Sequence, residues 1–318
     1  NKFMATYKEI RGVNIQSLES DPTAVEGDVW YNASTSKLKM YAAAGAWATG
    51  GTAGSGRYSG NGTGTIAAGL YWGGQTGGNS NVALTETYDG TSWAEVGDLN
   101  NARHLTGQAG TQTAALAAGG QGNTDKSEEW DASSWTEGSS MSNARYQTSG
   151  CGTQTAAVFF GGYDTALRAY SEEYDGSSFS EGDDLNTATR VGAGCGTQTA
   201  GLKIGGLGPA VSATVETYNG TSWTEVADLS NARMAHAGGG TQDNAVTYGD
   251  QPASADTELY NGTVWSEGAD MNAAQEQFSG WGATGNACMS VGGRAAPDLR
   301  TTSEEWTVAA SVETVAFD

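Results

Sequence analysis

Residues 145–182 read RYQTSGCGTQTAAVFFGGYDTALRAYSEEYDGSSFSEG, and this stretch decides the fold because the rest of the chain repeats it. An arginine is followed by a glycine, an apolar run ended by Gly-Gly, a variable polar loop, Glu-x-aromatic and a further aromatic residue. The pairs that end the apolar runs recur every 42–46 residues and define six units. They are Gly73-Gly74, Gly119-Gly120, Gly161-Gly162, Gly205-Gly206, Gly249-Asp250 and Gly292-Gly293. A repeat of this length is typical of β-propeller blades.

Each unit has room for four short strands. Asp89-Gly90, between Tyr88 and Trp93, predicts a hairpin with a type I′ turn, because Asp and Gly tolerate positive φ. Gly, Thr and Ser are dense and no 3.6-residue apolar stripe persists, so helices are not expected. We therefore predict an all-β fold. Residues 45–318 form a six-bladed β-propeller, and residues 1–44 form a short N-terminal extension.

The last unit lacks one aromatic residue. It has Trp306, but Ser311 stands where the other units carry their second aromatic side chain. Trp47 lies ten residues before the first repeated arginine, which is the spacing of that aromatic residue in the second and third units. Because an unsealed propeller would leave open strand edges, we predict that residues 45–50 complete the last blade. The alternative is that residues 312–317 supply this strand.

Composition excludes several classes of function. The chain carries 15 Lys and Arg against 36 Asp and Glu, a net charge of −21. Because such a surface repels phosphate backbones, nucleic-acid binding is not expected. There is no apolar run of about 18 residues that would predict membrane insertion, and the start NKFMATYKEI lacks the apolar core of a signal peptide. The three cysteines are expected to be buried thiols rather than a disulfide framework.

Two sets of residues are candidates for ligand binding. First strands line the channel of a propeller, so the repeated arginines could form an inward ring that binds an anion. The alternative is that each arginine pairs with a repeated carboxylate, and its recurrence in nearly every unit favours pairing. The variable loops 75–85, 121–127, 163–171, 207–214, 250–257 and 294–302 are the second set, in which Tyr163 and Arg168 are the least ordinary residues. The arginines of the ring are Arg57, Arg103, Arg145 and Arg233.

Catalytic chemistry is not indicated. Only His104 and His236 are available, too few for a copper site of the galactose-oxidase kind, and no nucleophile–His–acid order stands out. The YDGTSW segments differ from the Asp boxes of sialidases, and no phosphate-binding loop or paired CxxC occurs. Turn chemistry alone explains the Asp and Asn residues that might otherwise suggest calcium. We expect no catalytic residue, no cofactor and no metal.

The repeat resembles the kelch repeat over residues 57–306. In that family a double glycine ends the second strand, and a tyrosine and a tryptophan follow at fixed spacing. Tyr88 and Trp93 are five residues apart here, closer than in most kelch repeats, which implies a shorter third hairpin.

A second resemblance concerns the N-terminal residues. MATYKEIRG, EGDVWYN and LKMYAAAGAWAT, followed by GTQTAAL and EEYDGSS segments, look like kelch-like proteins of marine tailed phages, cyanophages among them. The resemblance implies a non-enzymatic virion structural protein, such as a tail fibre, appendage or decoration, exposed to the extracellular medium. It further implies other virion proteins as partners and several copies per assembly. The alternative is a free carbohydrate-binding or sialidase-like propeller.

Residues 1–44 are neutral and carry Trp30 and Tyr31, so we expect them to anchor the chain in a larger assembly; the alternative is a small closing strand pair on the edge of the propeller. Exposed aromatic, Asn, Asp and Gln residues of the variable loops suit a polar ligand such as host-surface polysaccharide, and the alternative is that these loops are plain connections.

Overall fold

The structure is a computed structural model that describes residues 15–22, 28–122, 124–295 and 298–314. Within these residues the chain is all-β, with strands joined by turns and no helix, so the predicted all-β class is confirmed. The chain divides into two compact units, residues 1–45 with 308–318 and residues 46–307. The MATYKEIRG motif and the first two residues of the EGDVWYN motif, Glu26 and Gly27, lie outside the described residues. Residues 315–317 of the alternative closing strand lie outside them as well.

The first unit contains a small strand group. Strand β1 (Gln16–Leu18) pairs parallel with β2 (Val29–Asn32), and β2 pairs antiparallel with β3 (Lys37–Thr52). The indole of Trp30 and the amide of Asn32 both donate to Asp21 Oδ1, at 3.0 and 2.6 Å. These two bonds lower the pKa of Asp21. Strand β3 runs on to Thr52 and so contributes residues to both units.

The second unit is built from repeated antiparallel sheets, five of them four-stranded within the described residues. Each has its strands in chain order, from a first strand that follows the repeated arginine position to a short fourth strand that begins with an aromatic residue. The first is β4 (Asn61–Thr65), β5 (Ala68–Trp72), β6 (Thr85–Tyr88) and β7 (Trp93–Glu95). The others are β8 (Gly107–Gly110), β9 (Ala115–Ala118), β10 (Ser127–Trp130), β11 (Trp135–Glu137); β12 (Ser149–Thr153), β13 (Ala156–Phe160), β14 (Ser171–Tyr174), β15 (Phe179–Glu181); β16 (Ala193–Thr197), β17 (Ala200–Leu207), β18 (Val211–Tyr218), β19 (Trp223–Glu225); and β20 (Ala237–Thr241), β21 (Asn244–Tyr248), β22 (Thr257–Tyr260), β23 (Trp265–Glu267).

The last repeat has a different fourth strand. Strands β24 (Ser279–Thr284) and β25 (Ala287–Val291) are followed by a small hairpin, β26 (Arg294–Ala295) and β27 (Asp298–Leu299), and by β28 (Thr302–Thr314). In the sheet order β3 lies beside β28, which lies beside β25. The ring centroids of Trp47 and Trp306 are 5.7 Å apart, so the aromatic residue of the N-terminal side occupies the position that Ser311 leaves unfilled. Residues 45–50 thus lie in the strand next to β28.

The hairpins between third and fourth strands differ from the predicted turn. Gly90 has φ of 92°, but Asp89 and Thr91 do not have positive φ, so the predicted type I′ turn is wrong. Asp89 instead accepts the amide N–H groups of Thr91 and Ser92 through Oδ1, at 2.9 and 2.8 Å. These side-chain hydrogen bonds stabilise a turn of a different type from the predicted one. In the second sheet Ala132 takes the glycine position with φ of 73°.

Aromatic side chains join neighbouring sheets, because each fourth-strand tryptophan reaches across to the next sheet. Four indole N–H groups donate to a Ser or Thr hydroxyl near the start of a neighbouring third strand, at 2.9–3.4 Å. In the fourth sheet Val215 stands where the others have Ser or Thr, and the buried indole nitrogen of Trp265 has no partner within the described part of the chain. The four bonded pairs are Trp47–Thr257, Trp93–Ser303, Trp135–Thr85 and Trp223–Ser171.

A repeated glutamine also ties sheets together. In four units its side-chain amide donates to two backbone carbonyls of a neighbouring sheet, at 2.7–3.3 Å. Ile66 and Thr284 take this place in the other two units. The glutamines are Gln112, Gln154, Gln198 and Gln242.

The residues just before the first strands form a closed cycle of hydrogen bonds. Each first strand contacts that of the next sheet, and β24 contacts β4. Two residues after each repeated arginine position, a non-glycine residue has φ of 50–58°, in the left-handed region. The amide N–H of each donates to the carbonyl of its counterpart in a neighbouring sheet, at 2.6–3.1 Å. The bonds run from Ser59 to Gln277, Gln277 to Ala235, Ala235 to Val191, Val191 to Gln147, Gln147 to Leu105 and Leu105 to Ser59.

Candidate functional site

The four arginines of the predicted ring are buried and paired with the repeated glutamate. Arg57 Nη1 lies 2.5 Å from Glu86 Oε2, and Arg233 Nη2 lies 2.6 Å from Glu258 Oε1. Arg103 pairs with Glu128 and Arg145 with Glu172 in the same way. Each arginine is therefore paired with a repeated carboxylate, the interpretation that its recurrence in nearly every unit favoured over an anion-binding ring. Among the described residues that line the cavities below, none is one of these arginines.

Each of these glutamates also holds the loop that precedes the first strand. Glu86 Oε1 accepts the amide N–H of Gly54 at 2.6 Å, and Glu258 Oε2 accepts that of Ser230 at 2.7 Å. A buried carboxylate with a cation and backbone donors is well compensated, whereas removal of the cation would leave it uncompensated. The arginines therefore stabilise the scaffold.

In the fourth sheet the cation comes from another position. Thr189 stands in the arginine place, and the side chain of Lys203 is fully buried opposite Glu216 in the strand register. Lys203 Nζ donates to the carbonyl and the hydroxyl of Thr214, at 3.2 and 2.9 Å. Burial lowers the pKa of Lys203, and Glu216 acts in the opposite direction. Lys203 thus supplies the positive charge that Thr189 lacks.

The two predicted loop residues have different surroundings. Arg168 Nε pairs with Asp164 Oδ2 at 2.9 Å, and both side chains are partly exposed. Tyr163 packs edge-on against Tyr146, with ring centroids 5.7 Å apart. The guanidinium of Arg190 lies 4.8 Å from the centroid of the Tyr163 ring. Tyr163 therefore positions a further arginine, which sequence reasoning did not select.

Three cavities are lined by the first strands and the residues that precede them. A cavity of about 360 Å³ is lined mainly by glycine and threonine, with Cys151, Cys195 and Trp281. A second, of about 350 Å³, is lined by all six left-handed residues of the hydrogen-bonded cycle, and we call it the ring cavity. A narrow cavity of about 80 Å³ shares lining residues with both.

The three cysteines are unreactive thiols, of which Cys151 and Cys195 line the first cavity. All three are buried and free, as predicted from the sequence. Burial raises the pKa of the Cys151 thiol to about 12 and raises those of Cys195 and Cys288 as well. The thiols therefore stay protonated and poorly nucleophilic at neutral pH.

The ring cavity is lined by side chains that differ from sheet to sheet. Two residues after the arginine position the six units have Ser, Leu, Gln, Val, Ala and Gln, and three residues after it they have Gly, Thr, Thr, Gly, His and Phe. Arg190, Met234 and Gln251 join this lining. Glycine pairs, glutamates and aromatic residues, by contrast, repeat in nearly every unit. The backbone of the first set of positions is fixed by the hydrogen-bonded cycle, whereas the side chains there are not held to one identity.

Three polar atoms of residues that line the ring cavity are fully buried and have no hydrogen-bond partner among the described residues. They are Arg190 Nε, Gln277 Oε1 and Thr148 Oγ1. Burial lowers the pKa of His236 well below its usual value, with Arg233 and Lys203 acting in the same direction, so the imidazole is neutral at neutral pH. Arg190 Nη1 donates to Gln147 Oε1 at 2.9 Å.

Sequence reasoning missed these residues because it searched the variable loops and the most regular positions. A signal was present in the repeat, since the two places after each arginine change identity from unit to unit. Within the described residues no helix has the length and apolar character of a membrane span, and no group of three His, Cys, Asp or Glu side chains could hold a metal ion. Compared with known proteins, the chain matches no protein-family model and no curated protein.

Proposed function

We propose that residues 45–318 form a closed six-bladed kelch-like β-propeller whose last blade is completed by an N-terminal strand. The closed cycle of six hydrogen bonds supports this proposal most directly, since a cycle requires six neighbours around one axis. The order β3–β28–β25–β24 and the packing of Trp47 on Trp306 support the N-terminal seal. An experimental density map of the isolated chain tests it: six sheets around one axis are expected, and an open stack or another number would refute it.

We propose further that the chain is a non-enzymatic virion component, a tail fibre, appendage or decoration, present in several copies and anchored to other virion proteins through residues 1–44. Resemblance of the EGDVWYN, GTQTAAL and EEYDGSS segments to kelch-like proteins of marine phages supports this role. The net charge of −21 suits an exposed protein in seawater, where salt screens its repulsion. Gold-labelled antibodies against the chain should mark intact particles in electron micrographs. Particles that stay unlabelled, while a capsid antibody marks them, would refute the role.

Recognition of host-surface polysaccharide is the second part of the proposed role. A rigid scaffold with variable residues on one set of positions is a common arrangement for recognition. The ring cavity, which is lined by Arg190 and by Gln147, Gln251 and Gln277, supports a site for a polar ligand. A glycan array that includes algal and bacterial polysaccharides tests this part. Binding without turnover is expected, whereas silence across the array would refute polysaccharide recognition and release of product would refute the non-enzymatic role.

A further inference from the structure

We propose that Asn219 and Asn261 are sites of spontaneous deamidation, at which the asparagine side chain loses ammonia and becomes aspartate or isoaspartate. The inference goes beyond the proposed role in a particle and does not depend on it, because it concerns the chemistry of two surface turns.

The sequence contains three Asn-Gly pairs, and the structure places them in two different environments. Asn219-Gly220 and Asn261-Gly262 lie in the turns between the third and fourth strands of the fourth and fifth sheets, where both asparagines are exposed. Asn61-Gly62 lies at the start of β4, with Asn61 half-buried and the glycine buried. Glycine has no Cβ to hinder attack by its own backbone nitrogen, so all three pairs are chemically susceptible.

The reaction closes a ring between neighbouring residues. The backbone nitrogen of Gly220 attacks Cγ of Asn219, the N–Cγ bond forms as the Cγ–Nδ2 bond breaks, and the proton of that nitrogen leaves with the ammonia. Water then opens the cyclic imide at either of its carbonyls. Opening at one carbonyl gives aspartate in the original backbone, and opening at the other gives isoaspartate, whose backbone runs through the side chain. Water is the only reagent consumed.

The attacking nitrogen is not engaged in either turn. Within the described part of the chain, the amide N–H groups of Gly220 and Gly262 donate to no acceptor. Oδ1 of each asparagine accepts the amide N–H groups of the residues two and three places further on, at 2.9–3.0 Å. This oxygen gains negative charge during the attack, and N–H donors stabilise such charge, so these bonds need not break.

The third pair is protected by hydrogen bonds. The amide N–H of Gly62 donates to Gln108 Oε1 at 3.0 Å, and Asn61 Nδ2 donates to the same oxygen at 3.1 Å. The hydroxyl of Thr106 donates to Asn61 Oδ1 at 2.9 Å. Attack by Gly62 and departure of the side-chain nitrogen would break both bonds to Gln108, so Asn61 should react slowly in the folded chain.

Aspartate already occupies the equivalent position in other repeats. Asp89-Gly90 and Asp175-Gly176 stand there, and the glycines of all four turns have φ of 85–92°. Both aspartates accept the same two backbone N–H groups, at 2.8–2.9 Å. The N–H groups of Ser92 and Thr91 lower the pKa of Asp89, which shows that the turn stabilises a carboxylate. The aspartate product therefore fits the turn as it stands.

Incubation of the folded full chain at mildly alkaline pH, followed by peptide mapping with mass spectrometry, tests the inference. The peptides that contain Asn219 and Asn261 should convert at least about tenfold faster than the peptide that contains Asn61, because only the third pair must first break hydrogen bonds. Intact asparagine at both turns, or conversion of Asn61 at the same rate, would overturn the inference.

The same incubation in urea provides the matched control. All three pairs are followed by threonine, so they form the same tripeptide, Asn-Gly-Thr, and in the unfolded chain they should convert at similar rates. A difference of about tenfold that persists in urea would assign the selectivity to the preceding residues and overturn the structural argument. Asn219→Asp combined with Asn261→Asp should leave the urea midpoint unchanged, and a lower midpoint would refute the fit of the aspartate product.

Discussion

Substitution of Val215 by threonine should stabilise the protein, because it would give the indole N–H of Trp265 the partner that four other tryptophans have. Both side chains lie in one core cluster, and Val215 has no exposed surface. An unpaired buried donor costs about 1–3 kcal/mol, and the exchange of a buried methyl for a hydroxyl loses about 0.8 kcal/mol of apolar burial. A net gain of about 0.2–2 kcal/mol remains. For a domain of this size it corresponds to a rise in Tm of up to several degrees.

Thermal unfolding followed by circular dichroism, with urea midpoints as a second measure, would detect this shift. Val158→Thr is the matched control: Val158 is equally buried and shares a cluster with Trp223, whose indole already donates to Ser171. That variant buries a hydroxyl for which no unpaired N–H donor is available, so its free energy of unfolding should fall by about 1–3 kcal/mol. In a Trp265→Phe background the gain from Val215→Thr should disappear. Loss of stability in Val215→Thr comparable to the control, or the same gain without the indole, would refute the hydrogen-bond reasoning.

Three other changes follow from the same structure. Ala132→Gly should raise the free energy of unfolding by up to about 1 kcal/mol, since φ of 73° strains alanine and not glycine; urea unfolding measures it. Lys203→Met should lower the free energy of unfolding by about 1–3 kcal/mol, because it removes the donor to Thr214 and a cation near buried Glu216, and adding Thr189→Arg should restore part of the loss in the same assay. Burial lowers the pKa of His104 from 6.5 to about 4, so between these pH values the unfolded chain binds more protons than the folded one, and stability should fall as the pH drops through this window.

The outcomes that contradict these three are specific. If Ala132→Gly and a glycine substitution at an exposed residue with negative φ changed the free energy of unfolding equally, backbone strain at Ala132 would be refuted. A double variant no more stable than Lys203→Met alone would show that Thr189 and Lys203 do not substitute for each other. In an acid titration monitored by Tm, His104→Asn should flatten the slope between pH 6.5 and about 4, and an unchanged slope would assign the proton uptake to other groups.

The scaffold was largely readable from the sequence because each of its parts repeats. The arginine and glutamate positions recur in the same order, 25–29 residues apart, and their pairing follows from the need to compensate a buried charge. Trp47 could be assigned to the strand beside β28 from its distance to the first arginine alone. A residue type that recurs at the same place in several units must serve a need that all units share, so its role could be inferred from the sequence.

Departures from the repeat were much harder to predict. The turn at Asp89 differs because its side chain caps the backbone, a competition that residue preference does not express. Lys203 supplies the positive charge that Thr189 lacks because β17 places it opposite Glu216 of β18. The spacing of the repeat does not predict that a lysine at this place would substitute for the arginine. The ring cavity is assembled from single residues far apart in sequence, so only the closed cycle brings them together.

The pairing of β3 with β28 has a consequence for biosynthesis. The Ser303 hydroxyl donates to the Gly51 carbonyl at 2.6 Å, across 252 positions of the chain. During translation β3 leaves the ribosome long before its neighbour exists, and until then its unpaired edge can recruit strands of other nascent chains. A message truncated ahead of residue 302 would leave that edge bare permanently. The sheet that contains β3 can therefore be completed only after residues 302–314 have left the ribosome. Overexpression at low temperature, where collisions between unfinished chains are fewer, should yield more soluble product.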